Sequence, residues 1–143
     1  MGCIKQFFSI MTQKITLLMD SNHHFALSDN RSINELNPKE LLLYATANCV
    51  GGTIVGLLKE HITSIGVMEI TIEGTLTTPT LVTESRFSHF DIVYRIECNT
   101  LKDQIIISRA VNLAHDKYCG MIQMLRRIAP LMHETSIVAT GNS

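Results

Sequence analysis

Charge is scarce in this chain: 12 lysines and arginines stand against 13 aspartates and glutamates, and charged residues make up 17% of 143. A formal net charge of −1 provides no basic footprint for nucleic acid and no polybasic patch for a membrane surface. The four cysteines include no CxxC and no paired spacing, which argues against a structural zinc site or a secreted disulfide framework. The six histidines show no metal-ligand spacing, so no metal is expected. Signal peptide, positive-inside asymmetry, internal repeat and interdomain linker are not evident either. A reducing cytoplasm is the expected compartment, where a disulfide is more often catalytic than structural.

What the chain does have is apolar: 45% of its residues, with a mean hydropathy of +0.18. One domain over residues 1–143 is expected, long enough to bury a real core. The high hydropathy predicts that a second subunit covers part of the apolar surface. Residues 1–10 read as a loose N-terminal extension or as a misplaced start, because a strand pattern begins at Met11. Gln6 stands where an N-myristoylation signal requires Ser or Thr, and Cys3 receives no role. Leu41–Leu58 is eighteen residues without a charge, at the lower edge of transmembrane length. Lys39-Glu40 and Lys59-Glu60 bracket it and polar residues and glycines dilute it, so a core helix is expected and no membrane partner.

Alternation of Ile15, Leu17 and Met19 predicts a strand over Lys14–Asp20, a turn at Ser21–His24 and a short strand through Phe25 and Leu27. Asn37, Pro38 and Glu40 form a complete helix-start signal with a Leu36–Leu41 staple. The helix is expected from Pro38 to about Ile62, with Gly66 just beyond its end. Ala45, Cys49, Gly52 and Gly56 fall on one stripe, and interior glycines cost up to about 1 kcal/mol each against alanine. Such a stripe predicts a second helix backbone packed close against it.

Met68–Glu73 and Phe90–Cys98 read as strands, with a polar loop over Thr77–Arg86 between them and Cys98 as a small buried hydrophobe. Thr100 and Asp103 cap a second long helix whose Ile106, Ala110, Leu113 and Lys117 stems are expected to face inward. Gly120 interrupts it, Met121–Ala129 reads as a short helix, and Glu134–Ala139 as a last strand. This order is α+β.

Two thiols stand in apolar helical surroundings, Cys49 within the uncharged run and Cys119 at the helix break. Around them, Asn37-Pro38-Lys39-Glu40-Leu41-Leu42-Leu43 running on to Asn48-Cys49 resembles the first cysteine segment of the OsmC/Ohr family. These are the osmotically inducible and organic hydroperoxide resistance proteins. Arg109–Leu113 followed by Lys117-Tyr118-Cys119 resembles the family's second cysteine segment, especially in its less characterised branch. Met68–Leu76 and Phe87–Cys98 fall where the family has its hairpin, and the match spans roughly residues 35–140.

The resemblance implies an OsmC-like α+β fold: an intertwined homodimer with two long central helices packed against curved antiparallel sheets. It also implies a cofactor-free thiol peroxidase acting on organic or hydrogen peroxides. The residue matching Cys49 would attack the peroxide and the one matching Cys119 would resolve the sulfenic acid as a disulfide, later reduced by an external dithiol. Characterised peroxidases of the family set a carboxylate ten positions before the first cysteine, paired with an N-terminal-region arginine. That position here is Lys39 (49 − 10 = 39), with Glu40 one step later and Arg31 the nearest arginine.

Glu40, whose first duty is capping, and Arg31 are therefore supporting candidates. His115, four residues before Cys119 and on the same face of a regular helix, is a third. Met121, Met124 and Met132 could line a pocket for a lipid-like hydroperoxide or simply pack the core. The alternative reading is a non-catalytic dimeric binding protein of the same fold, holding an apolar ligand at the subunit interface.

Overall fold

The computed structural model describes residues 12–77 and 85–141. The expected N-terminal extension, Met11, Cys3 and most of the Thr77–Arg86 loop lie outside the described residues. Five strands, β1 (Thr12–Met19), β2 (Phe25–Leu27), β3 (Ile65–Leu76), β4 (Phe87–Cys98) and β5 (Leu131–Ala139), form one sheet in the order β2-β1-β3-β4-β5. Among the described residues three α-helices accompany them: α1 (Pro38–Leu57), α2 (Leu101–Leu113) and α3 (Gly120–Arg126). The fold is α+β.

The alternation read from the sequence decides which face of the sheet is covered. Ile15 and Leu17 of β1, Ile70 and Ile72 of β3, and Phe90, Ile92, Tyr94 and Ile96 of β4 are all buried. The intervening Thr71, Glu73, Asp91 and Arg95 stand on the other face, where Arg95 reaches Glu69 at 3.3 Å. Against the apolar face lie Leu43, Ala47, Val50 and Ile54 of α1, Ile107 and Val111 of α2, and Ile122 and Leu125 of α3.

The sheet is mixed, which corrects the wholly antiparallel expectation. β5 runs parallel to β4, with Phe90 opposite Leu131 and Cys98 opposite Ala139. The α2–α3 segment carries the chain back along the covered face, so it re-enters the sheet in its original direction, as a parallel pair requires. β5 also begins at Leu131, three residues before the expected Glu134.

α1 starts where the sequence predicts. The Asn37 side chain accepts from the Glu40 N–H at 2.8 Å, and the Glu40 carboxylate accepts from the Asn37 N–H at 3.1 Å. It ends at Leu57 rather than Ile62, because the chain turns at Leu58, which is buried, and enters a 3₁₀ turn at Ile62–Ser64. Gly66 is therefore not a helix stop; it sits at a register shift between Ile65 and Val67 near the start of β3, as glycine in a strand often does.

The inward face of α2 also differs from expectation. Ile107, Ala110, Val111 and Ala114 are buried, whereas Leu113 is 45% exposed and Lys117 is exposed. Among the described residues α1 is the one helix long and apolar enough to cross a membrane; here it lays one face on the sheet. Its other face carries the stripe Ala45, Cys49, Gly52 and Gly56. A Cβ added at Gly52 or Gly56 would meet nothing within 4 Å, so at these two glycines no described element of the same chain covers the stripe.

Candidate active site

Cys49 sits near the middle of α1, on the boundary between its buried face and the uncovered stripe, and is half-buried. Cys119 reaches it from the other end of the fold. After Leu113 the helix widens into a π turn over Ala114–Tyr118, in which the Cys119 N–H donates to the Ala114 carbonyl at 2.9 Å. Such a turn inserts a residue and re-aims the chain beyond it. Cys119 is then extended (φ −83, ψ 106) and stands at the N-terminal boundary of α3.

The two sulfurs meet. The Cys119 Sγ–H donates to Cys49 Sγ at 3.2 Å, and both residues are free thiols. A disulfide requires about 2.05 Å between sulfurs, so little further approach is needed. Cys119 is fully buried, and burial pushes its thiol up to about 11. The Ile122 amide pulls the other way, while Cys49, accepting the thiol proton, adds to the rise. Near neutral pH Cys119 therefore keeps its proton and points it at its neighbour.

The supporting candidates fall in two places. Arg31 donates to Asp29 at 2.7 Å and to Glu40 at 3.0 Å, so the arginine–carboxylate pair does form, through the capping residue. Glu40 precedes Cys49 by nine residues (49 − 40 = 9), about 13.5 Å along a helix rising ~1.5 Å per residue. Within one chain this pair stands away from the thiols.

His115 is fully buried and directed to the sheet. Its Nδ1 shares a 2.7 Å hydrogen bond with Tyr94 Oη, and its ring stacks on His133 with centroids 3.9 Å apart. Burial, then the neighbouring His133 and Arg126, lower its pKa to about 4, with Asp116 opposing them. Burial raises the Tyr94 phenol well above its ordinary value, and a charge on Cys119 would raise it further.

Nothing in the sequence marks Tyr94 or His133 as a partner of His115, because strand alternation carries no sign of a helical partner. The three methionines do not share one environment. Met121 packs against the core, Met124 is exposed, and Met132 lines a groove of about 410 Å³ with Lys14, Glu73 and Asp91. Cys98, buried as expected, donates to the Thr100 carbonyl at 3.5 Å.

A mixed sheet backed on one face by helices is an α+β fold that matches solved OsmC-like structures. The chain matches the family model described as OsmC-like protein over residues 29–134 and belongs to that family. It is similar to Protein YhfA of Escherichia coli (strain K12), 26% identical over 121 residues, which cover 83% of this chain and 86% of that protein. It is also similar to the crystal structure of an OsmC like protein from Mycoplasma pneumoniae. There the TM-score is 0.56 at 13% identity, over 89% of this chain and 95% of that one. A hypothetical protein from Aquifex aeolicus VF5 gives 0.55 at 22% identity, over 87% and 97%. Both structures speak for the fold alone.

Proposed function

We propose that the protein is a cofactor-free thiol peroxidase that reduces organic or hydrogen peroxides through Cys49 and Cys119, in defence against oxidative stress. The observation that carries the reading is the 3.2 Å contact between the two sulfurs. Cys49, the more accessible thiol and the acceptor of the Cys119 proton, takes the attacking role. Its thiolate displaces an alcohol or water from the peroxide O–O bond and becomes a sulfenic acid. Cys119 then attacks that sulfur, forming the disulfide and releasing the sulfenic oxygen as water with the thiol proton. An external dithiol restores both thiols by exchange, and a reducing cytoplasm suits that step.

The active unit in this reading is a homodimer, with the uncovered stripe of α1 seated against a second copy. Antiparallel pairing of two such helices would carry the Arg31–Glu40 pair of one copy toward the thiols of the other, where a cation favours a thiolate. The test is steady-state consumption of cumene hydroperoxide with a dithiol in excess. Cys49→Ser abolishes turnover, while Cys119→Ser, in the absence of dithiol, reduces one equivalent and holds a Cys49 sulfenic acid that dimedone traps. Full turnover by Cys49→Ser would overturn the reading.

One observation favours a second reading. Lys39 occupies the position of the family's carboxylate, and Glu40 is engaged in capping. A protein of this fold holding an apolar ligand at the subunit interface would show negligible turnover, with ligand affinity unchanged in the Cys49→Ser/Cys119→Ser double variant.

A further inference from the structure

We propose that Tyr94 is a positioning residue for disulfide closure: its hydrogen bond to His115 pins the π turn that presents Cys119 to Cys49. The proposal rests on the thiol–disulfide reading of that pair.

A π turn is a rare, locally unfavourable geometry that persists where its surroundings hold it. Here the support converges on His115, the second residue of the turn. Its Nδ1 is joined to Tyr94 Oη at 2.7 Å, with the two rings edge to face at 88°. Its carbonyl accepts from the Gln123 side-chain amide at 3.1 Å, tying the turn to α3. Its Nε2 is buried without a hydrogen-bond partner among the described residues, so the Tyr94 bond is the ring's polar anchor there.

Tyr94 is itself a fixed point. It lies within β4, paired with Ile70 of β3 on one side and Thr135 of β5 on the other, and is fully buried. The widened turn ends at the Cys119 N–H donating to Ala114 O. Relaxation to α geometry would rotate each subsequent residue by about 100° and shift it by ~1.5 Å. That is enough to carry the Cys119 sulfur out of its 3.2 Å contact with Cys49. A phenol on the sheet thus sets the reach of a thiol on the helical layer.

The experiment tracks closure without peroxide, so its outcome is separate from that of the peroxidase assay. In the full chain carrying Cys3→Ser and Cys98→Ala, 5,5′-dithiobis(2-nitrobenzoate) serves as the oxidant. The Cys49 thiolate attacks it, forming a mixed disulfide and releasing one thionitrobenzoate. The Cys119 thiolate then displaces the second thionitrobenzoate and closes the Cys49–Cys119 bond. Two absorbance phases read the two steps.

Tyr94→Phe, which removes only the hydroxyl, is expected to leave the first phase within twofold and slow the second at least tenfold. The mixed disulfide should then be visible by mass spectrometry. His115→Leu should do the same, and carries the test should Tyr94→Phe not fold. His115→Asn, whose amide can occupy the Nδ1 position, should keep closure within threefold of the parent. A parental second phase in both Tyr94→Phe and His115→Leu, equal slowing of both phases, or no second phase in the parent would overturn the proposal.

Discussion

At His115, burial comes first, with the His133 ring and Arg126 behind it, in opposing a positive charge, and only Asp116 favours one. The folded pKa of about 4 lies below the ordinary 6.5, so the unfolded chain binds the proton first on acidification. Stability from this residue is therefore fully present above pH 6.5 and lost as pH falls toward 4. At about 1.36 kcal/mol per pH unit the loss is on the order of 2–3 kcal/mol. Denaturant unfolding at pH 7, 5 and 4 should show the parent losing that much more than His115→Gln across the window; parallel curves would contradict it.

The sequence marks His115 as a neighbour of Cys119 by counting four residues along a regular helix. The π turn breaks that count and sends the imidazole to Tyr94 instead. The Cys49–Cys119 contact is legible only through resemblance to a family. Periodicity places each thiol on its own helix and says nothing about a distance across seventy positions.

Among the elements, α1 is the most legible, because its start is written in three residues whose chemistry has one local solution. Asn37 accepts from Glu40 N–H, Pro38 fills a position that needs no donor, and Glu40 returns the bond. Asn37→Ala should cost about 1 kcal/mol in denaturant unfolding. Asn37→Ser should recover most of it; an unchanged midpoint for the alanine variant would contradict the capping account. The buried face of α2 is less legible, since Ile105, Ile106 and Ile107 are all apolar and the pattern does not choose among them. The direction of β5 is not written in its alternation at all. It is set by where the intervening helices leave the chain.

For the whole molecule, the uncovered stripe on α1 separates two states with opposite signs. In a lone chain, Gly52→Ala meets nothing within 4 Å and should stabilise the helix by up to about 1 kcal/mol. In a homodimer with a helix backbone on that stripe, a larger side chain should block association. Gly52→Leu should accordingly convert a dimer into a monomer in light scattering with the far-ultraviolet circular dichroism retained. A dimer of parental stability in that variant would place the interface elsewhere. The exposed apolar residues Leu101, Ile105, Met124 and Ile128 lie on α2 and around α3, so more than one helix presents surface of this kind.

The central claim is that the two touching thiols act as one redox unit, and the direct measurement adds one equivalent of an organic hydroperoxide to the fully reduced protein. Peptide mass spectrometry should recover a Cys49–Cys119 cross-link in proportion to the peroxide consumed. Both thiols still free, with the hydroperoxide intact, would contradict it.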